Sequence, residues 1–228
     1  MSHFKETLKN PVWFALSEAH EKFSVTYNGA KFYDPEICPF GAFVDPSTIQ
    51  LALEAYAKTC ESFFLVTNKN LPPYTSKHFV LDRKIEGCQM VLSYLIETPI
   101  TENIVRLTHH DIEDIYNLVW LVMPGYYRRR TFEMGEYYGI FKEGKLVSVT
   151  GQRMQTNDFI EISAVVTHPD YGRKGLAKQL VYHVTQQILK ANKKPILHTT
   201  KGNAAIPLYE RLGYQLTRDM NWWHFHCK

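Results

Sequence analysis

Apolar residues recur every four positions from Leu176 through Leu180 and Val184 to Ile188. Because this spacing places them on one face of a helix, and lysine and glutamine side chains fill the other face, the segment is predicted to be an amphipathic helix. The preceding segment, 159–167, is short and mostly apolar, which predicts a buried strand. A turn and a short basic loop join the two, so the chain here runs strand, loop, helix.

The loop between this strand and helix reads Gly172-Arg173-Lys174-Gly175-Leu176-Ala177. Unpaired N–H groups in the first turn of a helix, together with the helix dipole, attract phosphate. Gly175 and Ala177 leave room for a ligand to approach the main chain. The pattern alone is weak, since about one chain in ten of this length should contain it by chance. Its position between a strand and a helix predicts a phosphate-binding loop that extends from Gly172 to Lys178.

Hydrophobic alternation and turn residues predict the other elements of the C-terminal half. They are a strand at 104–107, a helix start with a capping-box-like Thr108 and Asp111, a hairpin of 137–141 and 146–154, a strand at 195–200, a short helix at 204–212 closed by Gly213, and an aromatic strand at 222–227.

The first hundred residues differ in character, and the change falls near 98–101. Helices are predicted at 13–23, where Trp13, Leu16, His20 and Phe23 share a face, and from Asp45-Pro46 to Cys60; strands are predicted at 62–67 and 89–96. No phosphate loop joins these elements. We therefore predict two parts: residues 1–100 cover part of a cleft, and residues 101–228 carry the chemistry.

Two motifs resemble those of the GNAT superfamily of acyl-CoA-dependent N-acyltransferases. The loop at 172–177 is similar to motif A, although Gly172 stands where the family usually has Arg or Gln, which leaves Arg173 and Lys174 as phosphate ligands. Asn203, Tyr209 and Gly213-Tyr214 have the spacing of motif B. The resemblance implies an α/β (α+β) GNAT fold with a mixed central sheet flanked by helices. The first hundred residues look like the degenerate GNAT-like half that precedes the active one in some of these enzymes; an unrelated α/β covering domain is the alternative.

The resemblance also implies residue roles. Acetyl-CoA would be the co-substrate, and its binding residues would be Val165, Val166, Thr167, Gly172, Arg173, Lys174, Gly175, Leu176, Ala177, Lys178 and Asn203. A bulge near Val165 would separate this strand from the strand at 196–200 and offer main-chain groups to the thioester.

Two catalytic residues are expected. Glu161 would act as general base if its apolar neighbours raise its pKa toward neutrality; a salt-bridged or solvent-facing strand residue is the alternative. Tyr209 would donate a proton to the leaving thiolate, and a core aromatic is its alternative.

The predicted function is therefore transfer of an acetyl group from acetyl-CoA to a primary amine of a small molecule or peptide. A non-catalytic acyl-CoA-binding or interaction module is the alternative. Tyr126, Tyr127, Phe132, Met134, Tyr137 and Tyr138 suggest an aromatic acceptor pocket, with core packing as the competing explanation.

Composition narrows the possible partners. A net charge of +3 gives no support for nucleic-acid binding, and the basic run Arg128-Arg129-Arg130 is expected on a solvated face or at a local anion contact. No signal peptide or membrane-length apolar run is evident. The four scattered cysteines suit a cytoplasmic location. His224 and His226 lack a third ligand, so no metal is expected. A monomer or homodimer is expected.

Overall fold

The computed structural model describes residues 3–228 and contains one large mixed sheet. Its strands are β1 (Ser24–Tyr27), β2 (Ala30–Tyr33), β3 (Phe40–Phe43), β4 (Ser62–Thr67), β5 (Phe79–Leu92), β6 (Ile104–Arg106), β7 (Tyr137–Lys142), β8 (Lys145–Gln155), β9 (Phe159–Thr167), β10 (Lys194–Thr200) and β11 (Tyr214–Cys227). Their spatial order is β1-β2-β3-β4-β11-β5-β10-β9-β8-β7-β6.

Helices flank this sheet. They are α1 (His3–Thr7), α2 (Pro11–Ala15), α3 (Ile49–Tyr56), α4 (Ile112–Val122), α5 (Leu176–Lys190) and α6 (Ile206–Glu210). Side chains of successive strand residues point to opposite faces of a sheet. In β7, Tyr137 packs into the apolar cluster of α4, and Tyr138 packs into that of α5. The two helices therefore cover opposite faces, and the predicted α/β fold with a helix-flanked mixed sheet is confirmed.

Several predicted elements have the expected bounds. The β7–β8 hairpin, β9 and the start of α5 at Leu176 agree with the sequence pattern. The capping box before α4 also forms: Thr108 Oγ1 accepts a hydrogen bond from His110 N, and Asp111 Oδ2 accepts one from Thr108 N at 2.7 Å. Strong periodicity and local side-chain caps are the two signals that succeeded.

The N-terminal part differs from the prediction in its helices. The helix expected at 13–23 ends at Ala15, and the chain then turns so that His20 points inward and contacts the Tyr33 hydroxyl at 3.0 Å. The helix expected from Asp45 begins only at Ile49, because the Asp45 carboxylate accepts hydrogen bonds from the backbone and hydroxyl of Ser47 and closes a turn there.

The position of β5 was not predicted. It pairs antiparallel with β10 on one side and with β11 on the other, so a strand from the first hundred residues lies inside the sheet built by residues 101–228. Gly87 permits close packing here, since a Cβ at this position would lie 1.9 Å from the ring of Trp222. The division of the chain into two parts near residue 100 stays a prediction. In the sheet, however, β5 of the first part lies between two strands of the second part.

No helix within residues 3–228 combines the length and the apolar character needed to cross a membrane.

The insertion of β5 leads to a first prediction. A fragment that begins at Thr101 lacks the strand between β10 and β11, so the facing edges of both strands lose their hydrogen-bond partners. We expect this fragment to show no cooperative thermal unfolding by circular dichroism and no acetyl transfer. A fragment that unfolds cooperatively and turns over at the rate of the full chain would contradict the structural role of residues 1–100.

Candidate active site

β9 and β10 separate partway along their length. They pair in parallel from Phe159 and Lys194 to Ile162 and Leu197. Just beyond, Ala164 has a φ of 51°, and the register between β8 and β9 shifts around this position. A left-handed conformation at a non-glycine residue turns the strand away from its neighbour. The predicted bulge and separation are confirmed.

A cleft of about 450 Å³ opens where the strands separate. Its wall includes four of the residues predicted from motifs, namely Val165, Val166, Asn203 and Tyr209. Residues from the first hundred, Phe40 and Ile85, also line it. The N-terminal part therefore contributes side chains to the cleft wall, and its covering role stays a prediction.

A second cavity of about 280 Å³ lies at the start of α5. Six predicted residues line it: Thr167, Arg173, Gly175, Leu176, Ala177 and Lys178. Tyr171, Leu208 and Arg211 complete the wall and were not predicted. Gly172 and Lys174 do not line it; the Lys174 ammonium lies 4.8 Å from the centre of the Tyr171 ring instead.

The backbone of this loop is shaped for an anion. Gly175 has a φ of 78° and caps α5, and Arg173 is also left-handed, with a φ of 60°. A Cβ at Gly175 would meet no atom within 4 Å, so it would project into the open space before the helix. The helix N-terminus, Arg173, Lys178 and Arg211 together make this space suitable for the pyrophosphate of an acyl-CoA.

Tyr209 is almost buried, with 6% of its surface exposed at the cleft. Burial raises the pKa of its hydroxyl to about 12, so the group is protonated at neutral pH. Among the described residues this hydroxyl has no hydrogen-bond partner. Asn203 lies nearby in sequence, and its Oδ1 accepts a hydrogen bond from the Ala205 backbone at 2.8 Å. Because the Tyr209 hydroxyl is protonated and has no partner among the described residues, its proton is available to a ligand in the cleft.

Glu161 is fully buried in a charged network and does not line the cleft. Its carboxylate receives two hydrogen bonds from Arg153, at 2.8 Å from Nε and 2.6 Å from Nη2. His198 Nδ1 lies 2.8 Å from Oε1, and the Met154 backbone N–H donates to Oε2 at 3.3 Å. Four donors therefore surround this one carboxylate.

The pKa of Glu161 is shifted in the direction opposite to the one we expected. Burial acts to raise it, but the charge and hydrogen bonds of Arg153, with a further contribution from His198, outweigh burial and lower the pKa to about 2. The hypothesis of a pKa raised toward neutrality is wrong, and the salt-bridged alternative describes the structure. The catalytic role of Glu161 stays a prediction.

Gln89 on β5 fixes the protonation of His198. The Gln89 side-chain amide Nε2 lies 3.0 Å from the Leu8 carbonyl oxygen, which can only accept, so this nitrogen is the donor group. The same nitrogen lies 3.0 Å from His198 Nε2. His198 Nε2 therefore accepts, and the ring is neutral with its proton on Nδ1, directed at Glu161.

Sequence reasoning missed Arg153, His198 and Gln89. One signal was available for Arg153, because it is the one ionisable residue in the segment 146–154 and lies on the strand paired with that of Glu161. No comparable signal exists for Gln89, whose contact with His198 depends on the unexpected position of β5.

The suggestion that six residues form an aromatic acceptor pocket is mostly wrong. Of the six residues suggested, only Tyr126 lines the cleft. Tyr127 and Phe132 pack against Tyr137 in the core, and the Tyr138 hydroxyl donates to Glu136 at 2.7 Å. Core packing therefore explains most of this group.

The remaining polar features of the sequence have local partners. Arg129 pairs with Glu113, and Arg130 pairs with Glu133 and Asp34, as expected for local anion contacts. His224 is hydrogen-bonded to Asp82. Within residues 3–228, no cluster of three or more His, Cys, Asp and Glu residues could hold a metal.

The chain is similar to a known protein family and to solved structures. The family profile described as FR47-like protein matches residues 137–223. A structure assigned to the GNAT family of acetyltransferases, from Novosphingobium aromaticivorans, is 26% identical; the alignment covers 97% of this chain and 98% of the other, with a TM-score of 0.86. Both findings support a protein of the GNAT superfamily.

A more distant relative has the same fold. A GCN5-related N-acetyltransferase from Kribbella flavida is 15% identical, and the alignment covers 95% of this chain and 92% of that one, with a TM-score of 0.61. No curated protein sequence matches the chain. The GNAT assignment made from motifs A and B is confirmed.

The buried network leads to a second prediction. Glu161→Gln removes the negative charge but leaves Arg153 buried, so the free energy of unfolding at pH 7 should fall by about 3–5 kcal/mol. Because folding lowers the pKa of Glu161, from 4.5 to about 2, its stabilising effect is complete above pH 4.5 and is lost as the pH falls toward 2. The difference in the free energy of unfolding between the wild type and Glu161→Gln should narrow by roughly 2 kcal/mol between pH 7 and pH 3. Urea unfolding at each pH measures it.

Glu113→Gln is the matched control, since Glu113 also receives two hydrogen bonds from an arginine but is exposed. The effect of this substitution on the free energy of unfolding should be small and nearly independent of pH. Equal effects of the two substitutions, or a difference that does not change with pH, would contradict the proposed charge balance around Glu161.

Proposed function

We propose that this protein is an N-acetyltransferase that moves an acetyl group from acetyl-CoA to a primary amine. One observation carries the proposal: the two cavities adjoin along a single stretch of chain. Val166 lines the cleft, and Thr167, the next residue, lines the cavity at the start of α5. A ligand with an anionic diphosphate at one end and a reactive acyl group at the other fits this arrangement.

The residues have distinct tasks in this proposal. Backbone N–H groups at the start of α5, with Arg173, Lys178 and Arg211, hold the pyrophosphate. Gly172 and Lys174 act through the conformation of the loop, since neither lines the cavity. Acetyl-CoA supplies an acetyl group already activated as a thioester.

The separated strand edges polarise the acyl group. β9 no longer pairs with β10 beyond Ile162, whereas Val166 remains paired with Val149 of β8. Val165 has a register partner in neither neighbouring strand and lines the cleft, so its backbone groups are the ones available to a ligand there. An N–H group held at this edge can donate to the thioester carbonyl oxygen as negative charge develops there.

Proton transfers complete the reaction. The attacking amine must be neutral, and the departing thiolate must be protonated. The proton that the nitrogen loses on forming the amide balances the proton gained by the sulfur, and it passes through solvent to restore the acid that protonated the thiolate. Tyr209 is the proposed acid, because its hydroxyl is protonated and has no other partner among the described residues. We propose that Glu161 is a positioning residue, because its carboxylate is already ionised throughout the neutral range and four donors surround it.

We also propose a cytoplasmic protein that acts as a monomer or homodimer on a small-molecule or peptide amine. Four free cysteines, Cys38, Cys60, Cys88 and Cys227, support a reducing compartment. The alternative, a protein that binds acyl-CoA without turnover, predicts retained cofactor binding and no release of thiol when acetyl-CoA and a panel of amines are supplied. Thiol release that depends on an amine would exclude that alternative.

The loop before α5 provides a third prediction. Acetyl-CoA should raise the melting temperature of the protein by binding the folded state. In Gly175→Val the added side chain fills the open space before the helix and strains a left-handed residue, so the shift should disappear. Differential scanning fluorimetry with and without acetyl-CoA measures it.

Gly144→Val is the control for backbone strain. Gly144 has a φ of 75°, and a Cβ there also meets no atom within 4 Å, but it lies in the β7–β8 turn. This variant should be destabilised and still show the full ligand shift. A ligand shift retained in Gly175→Val would exclude the loop as the pyrophosphate site.

Tyr209 provides a fourth prediction. Tyr209→Phe removes the proton donor and keeps the ring, so the affinity for acetyl-CoA should change by no more than a few-fold while kcat falls about 10²–10⁴-fold. Steady-state thiol release and cofactor titration measure the two quantities. Tyr127→Phe, which alters a buried core tyrosine outside the cleft, should keep its kcat. If Tyr209→Phe retains full turnover with acyl transfer rate-limiting, Tyr209 is only a core residue.

A further inference from the structure

The cleft has one permanently charged side chain in its wall. Among the described residues that line it, Arg153 is the only Lys, Arg, Asp or Glu, and His198 is neutral because Gln89 donates to its Nε2. The rest of the wall is apolar, aromatic, hydroxyl, amide or main chain. An acceptor amine therefore meets a cationic group and no carboxylate that could bind a second positive charge.

Arg153 uses only one of its edges in the protein. Nε and one hydrogen of Nη2 are directed to Glu161. Within residues 3–228, Nη1 has no hydrogen-bond partner, and it is not cut off from the cleft, since the side chain is 14% exposed. Two N–H groups of Nη1 remain for a ligand.

The guanidinium is held in one orientation. Glu161 fixes its inner edge, and its central carbon lies 4.8 Å from the centre of the Phe40 ring, which covers one face. Because the buried pair and the ring already restrict the side chain, little conformational entropy is lost when a ligand binds the outer edge. Planar, preorganised N–H groups suit a carboxylate.

We infer that the acceptor is an amine that carries a carboxylate, and that the free edge of Arg153 binds this carboxylate. The inference rests on the proposed function and specifies the acceptor class. Polyamines and lysine side chains, which add a positive charge without a compensating anion, are poor candidates for this cleft.

Direct binding tests the inference without turnover. CoA-loaded protein would be titrated calorimetrically with three matched pairs that differ only by the carboxylate: glycine and methylamine, valine and isobutylamine, and phenylalanine and phenethylamine. In at least one pair the carboxylate-bearing member should bind about 10–100-fold more tightly, the range expected for hydrogen bonds between charged groups.

The preference should depend on Arg153. In Arg153→Gln/Glu161→Gln, which replaces the buried ion pair by a neutral pair, the two members of each pair should bind within about threefold of each other. Arg153→Lys is a second variant. It keeps the buried charge pair but lacks the outer guanidinium edge, so its preference for the carboxylate-bearing member of each pair should fall as well. The double substitution Arg129→Gln/Glu113→Gln is the control, because it removes an arginine with the same two-bond contact and an aromatic neighbour, Tyr116, outside the cleft.

The outcomes separate this inference from the proposed function. No preference in any pair, or a preference that survives both Arg153 variants, overturns the inference. A protein that prefers the carboxylate but releases no thiol from acetyl-CoA supports the inference and contradicts the proposed acetyl transfer. A protein that acetylates amines and binds both members of every pair equally contradicts the inference alone.

Discussion

A buried carboxylate in the middle of the sheet is the constraint on which the cleft depends. Glu161 lies on β9, and an unpaired negative charge there would be prohibitively costly. Arg153 of β8 neutralises it, His198 of β10 donates a further hydrogen bond, and Gln89 of β5 sets the tautomer of that histidine. One ion thus links four neighbouring strands and determines which edge of Arg153 remains open to a ligand.

The cleft itself arises from a defect in the same sheet. β9 and β10 stop pairing after Ile162 and Leu197, and Ala164 adopts a left-handed conformation that costs roughly 1–3 kcal/mol in a residue with a side chain. The surrounding pairing of β8, β9 and β10 supplies the stability that tolerates this strain. The strand edges freed by the separation form the wall on which chemistry is proposed.

The sequence was most informative where local rules act alone. The spacing of Leu176 to Ile188 gives α5, and the turn at Glu143-Gly144 gives the β7–β8 hairpin. It was least informative where distant segments meet. The environment of Glu161 depends on a partner eight residues away and another 37 residues away, so its burial alone predicted a pKa shift of the wrong sign. Likewise, no local pattern reveals that β5 lies beside β10.

The interleaved strand also affects the order in which the chain can fold during synthesis. β5 emerges from the ribosome long before its partners, because β10 begins at Lys194 and β11 at Tyr214. At ordinary elongation rates the wait is on the order of ten seconds, during which β5 has neither neighbour. Its exposed edge and its apolar end, from Gly87 to Leu92, are then open to intermolecular pairing. Nascent chains of this protein should therefore depend more on chaperones than chains of a GNAT protein whose sheet assembles in sequence order.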